Sequence, residues 1–146
     1  GWSAAWAICI AARLRDSNTA KTVIRSLLCH AMFKNLFCVH PPFYFQIDGN
    51  LGFIAGINEM LLTEEKDDRA VALPENFSES GHVQNMSVNG AKISFKWKNG
   101  MVTEISADKP ILVYDKNIAV NIKQAYVVFH IEEKLQMQLH TVSNFL

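Results

Sequence analysis

An excess of charge of either sign is what this sequence most plainly lacks: 14 basic residues stand against 14 acidic ones. With no basic surplus there is no electrostatic footprint for nucleic acid and no polybasic contact for a membrane surface. Long apolar runs are missing as well. The stretch from Ala4 to Ala12 is too short to span a bilayer, and no positively charged leader precedes it. The chain opens on Gly-Trp, already inside a helical pattern, and that opening reads as a cut rather than a natural N-terminus. Cysteines are few and odd in number (Cys9, Cys29, Cys38), with no C-x-x-C pair. Cys9 reads as an ordinary apolar thiol, and spacing leaves a Cys29–Cys38 bridge open. The histidines (30, 40, 82, 130, 140) form no H-E-x-x-H or Cys/His ligand pattern, so no metal is expected. Internal repeats and low-complexity tracts are absent. Hydrophobic residues nevertheless make up 49% of the chain, ample material for a core, which excludes wholesale disorder.

What is present divides into two halves with different apolar periods. From Trp2 to about Leu62 the pattern is helical. WSAAWAICIAARLR is apolar on nearly every side, which suits a helix enclosed in something large, and Trp2 and Trp6, one turn apart, read as core. Asp16-Ser17-Asn18 supplies a turn and a cap for a second, amphipathic helix. Its stripe is Ala20, Val23, Ile24, Leu27, Leu28 and Ala31. A third helix is predicted from about Asn50 to Leu62. Gly52 and Gly56 share a face there at roughly 1 kcal/mol each relative to Ala, which signals a close approach by another helix or by a ligand. The run EEKDDR, residues 64 to 69, reads as a solvated connector.

From His82 the period becomes two. Ile93, Phe95 and Trp97 alternate with lysines and Ser94, and Asn99-Gly100 signals a hairpin. Further strands are predicted over 111–114, 118–122, 125–131 and 135–140. The expected fold is therefore α then β. Residues 1–66 form the end of a larger helical domain, 67–81 a linker, and 82–146 a C-terminal antiparallel β-sheet or sandwich domain.

The blocks GWSAAWAICIAARLRD, NLF-x-x-HPP, FQIDGNLG and NEMLL, followed by VALPENF and GHVQNMSVNGAKISFKWKNGMV, resemble glycoside hydrolase family 95. The likeness covers residues 1 to about 105 and fades afterwards. That family contains inverting α-L-fucosidases, with some members acting on α-L-galactosides. The resemblance implies that the helices are the last of an (α/α)6 toroid and that the substrate is a fucosylated oligosaccharide or glycan. It also implies that the missing N-terminal part of the catalytic domain is a required partner, with no nucleic acid, membrane, metal or organic cofactor involved. Carried over by motif, the water-activating aspartate is Asp48. The histidine opening H-P-P, here His40, lines the sugar site, and Gln46 and Asn50 flank Asp48 as substrate-binding candidates. The general-acid Glu and an Asn pair belong to segments this chain does not contain. One departure stands out: Phe43-Tyr44-Phe45 occupies the place of a single Phe, adding two residues between His40 and Asp48.

The residues themselves agree with that reading and leave rivals in place. Inverting hydrolysis needs two carboxyl groups roughly 6.5–9.5 Å apart, and Glu59 lies roughly 16 Å along the helix from Asp48 at 1.5 Å per residue. Asp48 could equally be a helix N-cap, and Gln46 and Asn50 could orient it or satisfy local backbone. A Cys38–His40 nucleophile pair lacks any supporting context. The rival functions are an α-L-galactosidase of the same family and a truncated non-catalytic carbohydrate-binding or structural module. An exposed aromatic platform in the β half would favour the binding module, although Trp97 among lysines points to the core. Asn76-Phe77-Ser78 and Asn85-Met86-Ser87 are glycosylation sequons, and they lean toward a secreted or lysosomal rather than a cytoplasmic protein.

Overall fold

Ala5, Ile8 and Ala12 recur at helical spacing, and in a computed structural model of the chain all three are buried on one face of α1 (Trp2–Arg13). The structure describes residues 1–40, 42–65, 69–72, 79–115, 118–122 and 129–130. Its two compact units divide between Thr63 and Glu64.

In the helical unit α1 ends in a reciprocal pair of backbone bonds, Arg15 N–H to Ala12 C=O and Asp16 N–H to Ala11 C=O, both 2.9 Å. Arg15 takes the left-handed φ of 58° that such a helix stop requires. The chain turns at once into α2 (Ser17–His30), because Asp16 is also its N-cap and accepts from the Thr19 N–H at 3.0 Å. The amphipathic stripe is present: Ala20 and Leu27 are buried, while Leu28 is exposed. After α2 come two short strands, β1 (Val39–His40) and β2 (Tyr44–Phe45), and then α3 (Ile47–Leu61).

α1 and α3 lie side by side and run the same way, with Gly1 beside Gly49, Ala5 beside Gly52, Ile8 beside Gly56 and Arg13 beside Glu59. The glycines explain how close they come. A Cβ on Gly56 would stand 2.6 Å from Ile8 Cγ2, and one on Gly52 would stand 3.1 Å from Ala5 Cβ. Of the two explanations open from sequence, helix–helix approach is the one seen. Trp2 and Trp6 depart from expectation. They stack on each other at 6.3 Å on the surface, 46% and 61% exposed, because the packing face of α1 is the small-residue one.

Among the described residues the β unit holds two four-stranded sheets. β3 (Leu62–Glu65), β4 (Arg69–Ala72), β8 (Ile111–Asp115) and β9 (Ile118–Ile122) form one in the order β3-β4-β8-β9. The other, β10-β7-β6-β5, joins β5 (Gly81–Val88), β6 (Ala91–Lys98), β7 (Met101–Ala107) and β10 (Phe129–His130). Two expectations are corrected. The stretch expected as linker, 67–81, contains β4 and the first residue of β5, because Ala70 and Ala72 alternate into the core and are buried. The expected all-antiparallel pattern also fails at one place. β4 pairs with β8 in parallel, Ala70 opposite Val113, whereas β8–β9 and the other sheet are antiparallel. The predicted strand over 125–131 is described only at Phe129–His130, and that over 135–140 lies outside the described residues.

Both tight hairpins of the second sheet turn on Asn-Gly. Asn89-Gly90 and Asn99-Gly100 have φ of 48° and 70°, and 52° and 72°, the paired positive values of a type I′ turn. Ala91, Ile93, Phe95 and Trp97 are buried while Lys92, Lys96 and Lys98 are exposed. Trp97 is therefore core, as its alternation with lysine predicts. β8 reaches across to this sheet through Asp115, whose buried carboxylate accepts from the Val102 N–H at 2.8 Å.

Candidate functional site

The segment from Leu36 to Asn50 is held by backbone. Cys38 C=O accepts from the Gln46 N–H at 2.8 Å, and Val39 and His40 then pair with Phe45 and Tyr44. The Phe43 N–H donates to His40 C=O at 2.7 Å and closes the hairpin. Phe37 against Phe45 (4.8 Å) and Phe33 against Phe43 (6.2 Å) brace it with ring contacts. The two additional residues are thus taken up in a hairpin, and its open end is tied back at the residue just before α3. His40 is exposed on β1, opposite Tyr44.

With its N–H on Cys38, Gln46 is extended (φ −126°, ψ 100°), and the helix starts at the next residue. α3 therefore begins at Ile47 and not near Asn50. Gln46 occupies the N-cap position without a side-chain capping bond; its Oε1 instead accepts, at a long 3.4 Å, from the Trp2 N–H. Asp48 is then the second helical residue. The N-cap alternative for Asp48 does not hold.

Asn50 binds backbone at both ends of its carboxamide. Its Oδ1 accepts from the Cys38 N–H at 2.8 Å, and its Nδ2 donates to Leu36 C=O at 2.7 Å. Asp48, two residues earlier, turns about 200° from Asn50 around a helix of 3.6 residues per turn. It is exposed, and among the described residues its carboxylate makes no hydrogen bond or ion pair. Asp48 thus stands in the first turn of α3, at the positive end of the helix dipole.

Beneath this turn lies a layer that sequence reasoning did not single out. Cys38 is fully buried against Gly1 and Gly49, and a Cβ on either glycine would collide with its Sγ. A thiol closed off from solvent cannot serve as a nucleophile, so the Cys38–His40 pairing has no chemical use here. The signal that could have exposed this layer is the glycine directly after Asp48, in a helix's first turn where glycine is a poor helix former. All three cysteines are free, so Cys29 and Cys38 form no bridge.

Residues 1–63 carry three carboxylates, Asp16, Asp48 and Glu59. Asp16 caps α2 and also accepts from the Thr19 hydroxyl at 2.6 Å. Glu59 Oε1 is paired with Arg13 Nη2 at 2.7 Å across α1 and α3. Of the three, Asp48 is the one whose carboxylate makes no hydrogen bond or ion pair among the described residues. Among the described residues of the β unit, a shallow depression is lined by polar Gln84, Ser94, Lys96, Glu104 and Ser106 together with apolar Val83, Phe95 and Ile105. All large apolar side chains exposed among the described residues lie at or before Ile54, so this dip has no exposed aromatic platform.

Comparison with known proteins bears on the same segment. Alpha-L-fucosidase 2 from Arabidopsis thaliana is 31% identical over 118 residues, an alignment taking in 71% of this chain and 14% of the relative. The chain thus spans about a seventh of the length of that curated relative. Residues 1–61, the stretch that holds Gln46, Asp48 and Asn50, match the glycosyl hydrolase family 95 catalytic domain. By that match and that relative, the chain belongs to glycosyl hydrolase family 95.

Proposed function

We propose that this chain works as the C-terminal portion of an inverting glycoside hydrolase that cleaves terminal α-L-fucosyl linkages, with Asp48 as the carboxylate that activates water. The observation that carries the reading is the position of Asp48: exposed, in the first turn of α3, inside the stretch that matches the family's catalytic domain. An activating base must be ionised to draw a proton from water, and a carboxylate is the side chain that can do so here. The second carboxyl, the proton donor, comes from another part of the enzyme, since Asp16 and Glu59 are committed elsewhere. In this reading His40 contacts the sugar from the hairpin. Asn50 and Gln46 hold the hairpin to α3, and so keep His40 and Asp48 in a constant relation.

The helices suit a toroid of alternating layers. α1 and α3 are parallel neighbours, and α2 returns the chain between them, as two members of one layer joined through the other would be arranged. The (α/α)6 ring is part of the proposal, and the upstream helices that complete it would cover the exposed stripes of α1 and α3.

Asp48→Asn in the complete enzyme tests the assignment. Turnover of an aryl α-L-fucoside should fall about 10²–10⁴-fold, the usual worth of a positioned base, while the melting temperature stays nearly constant. Near-normal turnover would remove Asp48 from the mechanism. Comparing kcat/KM for matched α-L-fucoside and α-L-galactoside substrates on the unaltered enzyme decides between the two sugars; a preference for the galactoside would overturn the fucosyl assignment.

A further inference from the structure

The sequon Asn85-Met86-Ser87 plays no part in the chemistry above, and its surroundings are unusual. It lies on β5, an outer strand of its sheet, with Gln84, Asn85 and Ser87 exposed and Met86 turned partly inward. Between Val83 and Met86 the pairing with β6 shifts register, so Asn85 stands in a β-bulge. Its φ is +56°, and its N–H donates to the Ser94 hydroxyl at 3.0 Å in place of a ladder bond. Among the described residues its carboxamide has no hydrogen-bond partner.

We propose that Asn85 is an N-glycan attachment site. A bulge that needs a left-handed residue explains an asparagine or a glycine at this position. It does not explain a hydroxyl residue two positions on with a non-proline between, which is what the glycan-transferring machinery reads. Asn85 and Ser87 stand on the solvent side, so a bulky polar glycan can be carried without displacing any core side chain. It would also shield the side of β5 that pairs with no strand among the described residues, an edge that invites pairing with other chains. In the transfer, Asn85 Nδ2 forms a bond to C1 of the first sugar of a polyisoprenyl-diphosphate oligosaccharide. The C1–O bond to the diphosphate breaks, the lipid diphosphate leaves with the electron pair, and one Nδ2 proton is lost to a base of the transferase. No oxidant or reductant is needed.

The test passes the full natural chain through a eukaryotic secretory pathway. The secreted protein is then treated with an amide-cleaving glycosidase in heavy-oxygen water, which converts an occupied Asn85 into isotopically marked Asp. Most of the peptide containing Asn85 should carry the mark. Asn85→Gly, which keeps the left-handed backbone, and Ser87→Ala, which keeps the carboxamide, should each abolish it. Ser87→Thr should preserve it, with secretion and thermal stability unchanged in all three variants. Secreted, folded protein whose Asn85 peptide is unmarked would overturn the proposal, as would a mark that survives Ser87→Ala.

Discussion

Each step along a helix turns the side chain by about 100°, so Asp48 and Asn50, two residues apart in α3, serve opposite sides. Asn50 is used up on the backbone of Leu36 and Cys38, the latter fully buried. Asn50→Ala should therefore cost about 2–3 kcal/mol, since it leaves two backbone groups without partners. Asn50→Asp should also destabilise, because it keeps the acceptor for Cys38 but sets a second acceptor against Leu36 C=O. Denaturant unfolding of the three proteins checks this, and an Asn50→Ala protein as stable as its parent would mean that the bracket contributes nothing. Asp16 makes a separate prediction at this scale. The Thr19 hydroxyl, and after it the Thr19 N–H, hold its carboxyl below the usual range. A folded value below the unfolded one, about 3.9, gives stability that is present above that pH and fades as pH falls through the lower value. The stability gap between the parent and Asp16→Ala should thus be open near neutrality and close in strong acid.

At the scale of elements, the glycines of α3 were conspicuous in the sequence because they oppose helix formation. What they approach could not be read, since Ala5 and Ile8 lie more than forty residues away in the chain. The structure ranks them. Gly56→Ala gains about 1 kcal/mol of helix propensity, but its Cβ would enter the Ile8 side chain at 2.6 Å, and overpacking of that kind costs about 1–3 kcal/mol. It should lower the melting temperature, and shortening Ile8 to Ala in the same protein should recover part of the loss. Gly52→Ala meets only Ala5 Cβ at 3.1 Å and should be close to neutral. Equal effects of the two substitutions would contradict the packing. Strand signals were unevenly legible. The β6 alternation and the Asn99-Gly100 turn are legible in the sequence, and Asn89-Gly90 carries the same turn signal. β4 was hidden because its neighbour EEKDDR reads as solvated, and a four-residue strand carries too short a period to stand out beside it. Its parallel pairing with β8, some forty residues on, has no local signature at all.

On the scale of the whole molecule, the change of period from helix to strand was enough to predict α followed by β. The all-apolar first helix was enough to predict that something encloses it. The structure makes the second point concrete. Trp2, Trp6 and Ile10 recur every fourth residue along one face of α1 and are 46%, 61% and 44% exposed. On α3, Ile47, Leu51 and Ile54, spaced four and then three residues apart, form a second stripe at 56%, 65% and 59% exposed. A soluble monomer rarely shows contiguous apolar patches beyond a few hundred Å², and two such stripes on neighbouring helices leave their apolar surface in water. If the upstream part of a catalytic domain covers these stripes, the 146-residue chain by itself should bind a hydrophobic dye strongly or self-associate. Replacing Trp6 and Leu51 together with polar residues should then reduce dye binding sharply without weakening the fold, because neither side chain is buried. The same pair of changes in the complete enzyme should be strongly destabilising, since there the stripes would be core. A monodisperse 146-residue monomer that unfolds cooperatively and binds no dye would show that these faces need no cover, and the incomplete-toroid reading would fail with it.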